Sequence, residues 1–410
     1  MEKRSGFGKF LLLWSGELIS SIGGGLTSFG LGVYIFNQTG SAAGMAVVTL
    51  LGFLPVFVLS VPAGVLADRY DRRLLMMIGD GFSALGIIYI LICMIRGDAK
   101  LWEICIGVFV SAVFSSLLEP SYRATITDLL TKEEFSRASG LVSLAGSARY
   151  LISPIIAGFL LASYDVKLLL IIDICTFFLT VISAAIVRKG IEVKKPEERP
   201  SFKEEIKEGW KVLSANKGVF ILVVMMAVVT LLIGIFQTLA EPMILSFKDS
   251  ATLGVAETLC ASGMLVSGII LGIKGIKKNF VSVLVVSMMI SGLCMAGFGV
   301  LENIYVVCSF GFLFFATLPF VNNCLDYLVR TSIPAEVQGR AWGLISFISQ
   351  IGYVVAFGLS GIAADTLGEV SGRGVGRGSG MVIIFAGLSL VVVSFVLSRL
   401  KSIRAFKEQA

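Results

Sequence analysis

Twelve apolar runs, each long enough to cross a bilayer, leave this 410-residue chain few ways to fold. A hydrocarbon core of about 30 Å takes about 20 helical residues at 1.5 Å rise. The runs fall at roughly 10–36, 41–66, 74–95, 101–121, 138–162, 167–188, 219–246, 253–273, 280–300, 304–329, 338–364 and 380–399. None alternates polar and apolar residues as a barrel strand must, so each is read as a helix, which satisfies its own backbone groups in lipid. Composition agrees: 56% of residues are hydrophobic, 15% are charged and the mean hydropathy is +0.90. A soluble domain carries about 25% charged residues. The expected fold class is all-α integral membrane, with the lipid bilayer as solvent.

The basic residues set the orientation. With the N-terminus inside, the inner segments hold 27 Lys and Arg and the outer segments six, with Arg149 left inside a span. Positive charge is retained on the cytoplasmic side. The expected location is therefore the cytoplasmic (inner) membrane, multi-pass, with both termini inside. The net charge of +6 reflects this bias, so no nucleic-acid partner is expected.

One long polar stretch, 188–218, divides the chain into an N-terminal six-helix bundle (1–188), a cytoplasmic linker (189–218) and a C-terminal six-helix bundle (219–410). Lys194 to Pro200 reads as linker. From Ser201 the pattern changes: Ser201 and Glu204 form a capping-box pair, and Phe202, Ile206, Trp210 and Leu213 share a face. That pattern predicts an amphipathic helix on the inner membrane surface. Six glycines from Gly368 to Gly380 predict a flexible outer loop before the last span.

Other chemistry is largely excluded. The seven cysteines are scattered and have no metal-ligand spacing, so neither a disulfide framework nor a metal site is expected. With no histidine, proton chemistry falls to carboxylates. No phosphate-binding Gly-rich loop is present, so ATP is not the expected energy source. No cleavable leader is read at the start, and the Asn37-Gln-Thr39 triplet carries no argument by itself.

Two patterns organise the rest. Gly64-Val-Leu-Ala-Asp-Arg-Tyr-Asp-Arg-Arg73 gathers five charges between two spans, which requires a water interface. The two halves also repeat: Glu133-x-x-x-Arg137-Ala-x-Gly140-Leu141 matches Glu336-x-x-x-Arg340-Ala-x-Gly343-Leu344 at an offset of 203, and the same offset pairs Tyr150 with Tyr353 and Gly158 with Gly361. Parallel six-helix repeats are a transporter design.

These residues resemble the major facilitator superfamily. Gly64, Asp68, Arg69, Arg72 and Arg73 match its signature between the second and third helices, with Asp71 where the signature has glycine. Trp14-Ser-Gly, Leu51-Gly-Phe-Leu-Pro55, Tyr150-Leu-Ile-Ser-Pro154, Lys207-Glu-Gly-Trp with Asn216-Lys-Gly218, and Ala261-Ser-Gly-Met264 are similar to its third drug:proton antiporter family, which includes macrolide-efflux proteins. The resemblance implies two pseudo-symmetric six-helix bundles. It also implies an inner charge latch, with Asp68 facing the helix that starts near Gly339 and Arg69 meeting Asp128 or Glu133. The second half has Gly272 where the acid would be, so the latch is expected to be one-sided. Pro154 and Gly158 resemble a degraded antiporter motif of the fifth helix; an ordinary packing site is the competing reading.

Ionisable residues inside spans are functional candidates. They are Glu17, Glu119, Arg149, Asp173, Glu241, Glu257 and Asp326. The resemblance places the first, fourth, seventh and tenth helices around a cavity, which favours Glu17, Glu119 and Glu241. Arg149 keeps its proton and needs an acid nearby, so it is expected to pair with Glu119 or Glu17. Asp173 or Glu241 is the expected proton carrier, and Glu257 and Asp326 read more simply as structural ion pairs or as residues at an interface. The 29 Phe and 13 Met suit a bulky amphipathic substrate, although most must face lipid or neighbouring helices. The expected function is export of a hydrophobic or amphipathic small molecule, drug- or macrolide-like, in exchange for protons. The protein is expected to work as a monomer with no catalytic centre and no cofactor besides the proton gradient. Export of a siderophore, peptide or lipid, and a non-transporting membrane sensor or assembly partner, are the alternatives.

Overall fold

The structure, a computed structural model, describes residues 6–131, 133–188, 210, 217–333 and 338–400. Among them all the extended regular structure is α-helix: α1 (Phe7–Thr39), α2 (Ala42–Arg69), α3 (Arg72–Arg96), α4 (Leu101–Ser115), α5 (Leu118–Leu129), α6 (Phe135–Leu151), α7 (Ser153–Ser163), α8 (Val166–Arg188), α9 (Lys217–Leu245), α10 (Ser250–Lys274), α11 (Phe280–Val300), α12 (Ile304–Thr331), α13 (Gln338–Ser371) and α14 (Gly374–Arg399). They make twelve spans, the fourth built from α4 and α5 and the fifth from α6 and α7. Both interruptions fall at a proline. Pro120 and Pro154 lie in the first turns of α5 and α7, where the missing N–H breaks the backbone ladder. Pro55, Pro62, Pro242 and Pro319 sit within continuous helices.

Capping explains several helix starts. Asp71 accepts a hydrogen bond from the Arg73 backbone N–H at 3.1 Å and so opens α3. Asn303 does the same for α12 through the Tyr305 N–H at 2.9 Å. Each satisfies a donor that a helix leaves unpaired in its first turn.

Three sequence expectations need correction or qualification. The fourth span does not end near residue 121: α5 continues to Leu129, which carries Arg123 and Asp128 on a helix rather than a loop. The glycine-rich stretch is not a loop. α13 reaches Ser371 and α14 starts at Gly374, so two residues join them. The glycines are used for packing: a Cβ on Gly368 would lie 2.7 Å from the Gly374 carbonyl oxygen, and one on Gly380 would lie 2.8 Å from the Gly299 carbonyl oxygen. In lipid, helices associate largely by such close backbone approach. The surface helix expected over 201–217 lies outside the described residues except at Trp210 and Lys217. Trp210 is helical and exposed, and its ring meets Phe220 edge-on at 6.2 Å.

The chain forms two compact units: Met1–Thr39, Val47–Glu198 and Ser250–Val255 make one, and Gly40–Ala46, Arg199–Asp249 and Ala256–Ala410 make the other. In the first unit α1 lies along α8. Gly16, Gly23 and Gly30, seven residues apart, face Ser183, Thr176 with Asp173, and Leu169 with Val166. Phe10, Leu13, Met76, Tyr122, Ile126 and Val187 belong to one buried core cluster, and Trp14 Nε1 donates to the Leu141 carbonyl at 2.6 Å. In the second unit α11 packs along α14, and Phe236, on α9, has ring centroids of Phe298 and Phe314 at 4.7 and 4.4 Å.

Candidate transport site

The charged turn between α2 and α3 is a closed network. Arg72 donates to Asp128 Oδ1 at 2.7 Å, and Arg73 donates to Asp128 Oδ2 at 3.0 Å. Two guanidinium groups thus share one carboxylate. Arg72 also holds the Ala67 carbonyl at 3.1 Å and the Ala124 carbonyl at 3.0 Å, tying α2, α3 and α5 together. Asp68 lies 3.7 Å from Arg72, one helical turn back. Asp71 has a second use besides its cap: its other oxygen accepts from Arg188 at 2.6 Å, which fixes the end of α8 to this turn.

This arrangement corrects one expectation. Arg72 and Arg73, not Arg69, hold Asp128. Arg69 ends α2 and is exposed, with no ion pair within 4 Å among the described residues. The chain turns at Tyr70 and Asp71, so the first turn of α3 places Arg72 and Arg73 over α5. Glu133 is exposed. The expected partner of Asp68 near Gly339 lies outside the residues whose side chains are described. Gly64 lies in α2 with open space where a Cβ would be.

Three carboxylates converge inside the first unit. Glu17 on α1 has Oε2 buried with no hydrogen-bond partner, while the residue as a whole is partly accessible. Asp173 on α8 is 1% exposed, with the Thr176 hydroxyl at 3.4 Å and Thr27 beside it. Asp80 on α3 is 0% exposed, and neither of its oxygens has a hydrogen-bond partner. Asp80 lies within electrostatic reach of both Glu17 and Asp173. Sequence reasoning missed Asp80, although the signal was available: a carboxylate inside the run 74–95.

Arg149 does not pair as expected. It is exposed, it has no ion pair within 4 Å among the described residues, and its charge reaches Glu17 and Asp173 only at longer range. Glu119 instead pairs with Arg123 at 2.7 Å, one turn away on α5, with its side chain 68% exposed. In the second unit Glu241 on α9 and Glu257 on α10 are partly accessible and feel each other's charge, so Glu257 belongs with the candidates rather than with structural pairs. Asp326 pairs with Arg330 at 3.3 Å on an exposed helix end, as a structural ion pair would.

The repeated glycines share one use. A Cβ on Gly158 would lie 2.6 Å from the Ser250 carbonyl oxygen, and Gly254 sits against the Pro154 carbonyl. Pro154 and Gly158 therefore bring α7 against the start of α10. In the second unit a Cβ on Gly361 would lie 2.6 Å from the Ala42 carbonyl oxygen, at the start of α2. There Asp365 adds a cap that sequence reasoning missed: it accepts from the Ala42 and Ala43 backbone N–H groups at 2.8 and 3.0 Å, and from the Ser41 hydroxyl at 2.5 Å.

Residues 13–357 match the family model of the Major Facilitator Superfamily. Macrolide efflux protein A of Streptococcus pyogenes is 28% identical over 372 residues, covering 88% of this chain and 90% of that protein. The Enterobactin exporter of Salmonella typhi is 23% identical over 403 residues, covering 96% of this chain and 94% of that protein. Among solved structures, the POT family transporter PepTSo shares the fold with a TM-score of 0.78 at 12% identity, over 98% of this chain and 99% of that one. The spans, the charged turn and the matched family agree: this chain is a multi-pass membrane transporter, not an enzyme, and belongs to the Major Facilitator Superfamily.

Proposed function

We propose that this protein exports hydrophobic or amphipathic small molecules of the macrolide class from the cytoplasm in exchange for protons. It works as a monomer in the cytoplasmic membrane, with both termini inside and no cofactor beyond the proton gradient. The observation that carries the reading is the near full-length likeness to macrolide efflux protein A. The buried carboxylates support proton coupling, since ionisable groups are retained in a membrane core where they move ions or substrate. Alternating access would rock the two six-helix bundles about a site near the membrane midplane. Asp68, with the Arg72–Arg73–Asp128 network, would close the inner side when the transporter faces outward.

The test is substrate-driven proton movement in proteoliposomes carrying a pH dye, screened with macrolides, lincosamides, cationic dyes and catecholate siderophores. Asp173→Asn and Glu241→Gln are compared with wild type. A compound that moves protons in wild type, and fails to in one variant that still binds it, supports antiport. Counterflow of a compound without proton movement refutes it.

Siderophore export is the second reading. It rests on the likeness to the enterobactin exporter and on the exposed, unpaired Arg149, which suits an anionic substrate. Arg149→Gln should then abolish siderophore transport and spare that of a cationic dye.

A further inference from the structure

Asp80 is the most isolated carboxylate of the first unit. It lies a little over two turns into α3, with 0% exposure and two unpartnered oxygens. The groups that act on it, and the groups that act on those in turn, come from five helices. α1 contributes Glu17, and α8 contributes Asp173 and the Thr180 hydroxyl. α5 contributes Tyr122, a buried phenol whose hydroxyl is also unpartnered and which lies in the field of Glu17. Glu119, also on α5, acts on Glu17 but is neutralised by Arg123. From α6, Arg149 acts on Glu17 and Asp173. α4 turns a hydroxyl, Ser115, to Ser83 at 2.9 Å, and its acid, Glu103, caps the far end of that helix.

The three acids are therefore not equivalent. Asp173 has a hydroxyl at 3.4 Å and the field of Arg149 to support its charged form. Glu17 is partly accessible, although its Oε2 is buried. Asp80 has no cation beside it among the described residues, and its one neighbouring donor, the Thr180 hydroxyl, is turned to the Gly16 and Thr176 carbonyls at 3.4 and 3.2 Å. Its ionised form would lie uncompensated beside the carboxylates of Glu17 and Asp173. The Tyr122 hydroxyl, in the field of Glu17, is a further buried polar group with no hydrogen-bond partner among the described residues.

We propose that Asp80 holds the proton that this transporter exchanges for substrate, and that Glu17 is its way in and out. In the transfer the Asp80 O–H bond breaks and a Glu17 O–H bond forms. The negative charge moves to Asp80, and no other bond changes. This inference rests on the proton-antiport reading, and it assigns the carrier to a residue other than Asp173 and Glu241.

Infrared difference titration of the purified full-length protein reads the acid without any substrate. Wild type should show a protonated-carboxyl C=O stretch that is missing in Asp80→Asn and displaced in Asp80→Glu. Asp326→Asn, which removes an exposed acid of the second unit, should leave it in place. In proteoliposomes with erythromycin as probe, Asp80→Asn should lose proton movement, and Asp80→Glu should restore it. A carboxyl band unchanged in both Asp80 variants overturns the proposal, and the Glu variant decides if the Asn variant does not fold. Proton movement retained in Asp80→Asn, with wild type active, overturns the carrier role and leaves antiport standing. Erythromycin flux without proton movement in wild type refutes antiport itself and the carrier role with it.

Discussion

Asp128 offers a sharp test of the charged turn. It is the only side-chain acceptor of Arg73 among the described hydrogen bonds, and Arg73 is 3% exposed with its Nε already unpartnered. Replacing Asp128 with Ala leaves that guanidinium buried without a counter-charge and removes one of the three acceptors of Arg72. Breaking one side of a buried pair costs about 3–5 kcal/mol, mostly the penalty of the stranded charge. The Glu119–Arg123 pair makes a contact of equal length, 2.7 Å, but both side chains are about two-thirds exposed. Glu119→Ala should therefore cost about 0–1 kcal/mol. Equilibrium unfolding in mixed micelles with rising SDS fraction, followed by tryptophan fluorescence, reads both on the same scale. Adding Arg73→Met to Asp128→Ala should recover most of the loss, because an apolar side chain of similar reach has no charge to strand. A loss at Asp128 that matches the loss at Glu119 within about 0.5 kcal/mol, the scatter of independent sites, would refute the argument from burial.

Two further predictions use built-in controls. Asp365→Ala should cost about 1–2 kcal/mol as the loss of a helix cap, and it should speed hydrogen exchange at Ala42 and Ala43; unchanged exchange there would remove the cap from consideration. Gly23→Leu should cost about 1–3 kcal/mol by overpacking, because a Cβ there lies 2.8 Å from Asp173 Oδ1. Gly24→Leu, with nothing within 4 Å, should be close to neutral under the same unfolding assay. Equal effects at the two glycines would show that the α1–α8 seam does not depend on close approach.

The sequence was sufficient for the spans because hydrocarbon thickness imposes a length on every apolar run, and that constraint is local. The charged turn was legible for the same reason: five charges between two spans have only an interface to occupy. The internal repeat showed two equivalent halves, since Gly158 and Gly361 each stand where a helix backbone must come close to another. What stayed hidden was whatever depended on direction across helices. Arg69, Arg72 and Arg73 differ in sequence by a few positions, but the turn at Asp71 decides which of them lie over α5. Glu119 and Arg149 are both intramembrane charges by position, yet the break at Pro120 leaves Glu119 to its own helix neighbour, Arg123. The glycines of 368–380 signal a loop in water and a packing seam in lipid, and only the contacts with Gly299 and Gly374 separate the two. Asp80 shows the limit most plainly. Its presence in an apolar run is a sequence fact, but its isolation is not. That one carboxylate lies beside Glu17 and Asp173 with no counter-charge is set by how α1, α3 and α8 pack, and pairwise proximity between distant segments is what tertiary structure alone decides.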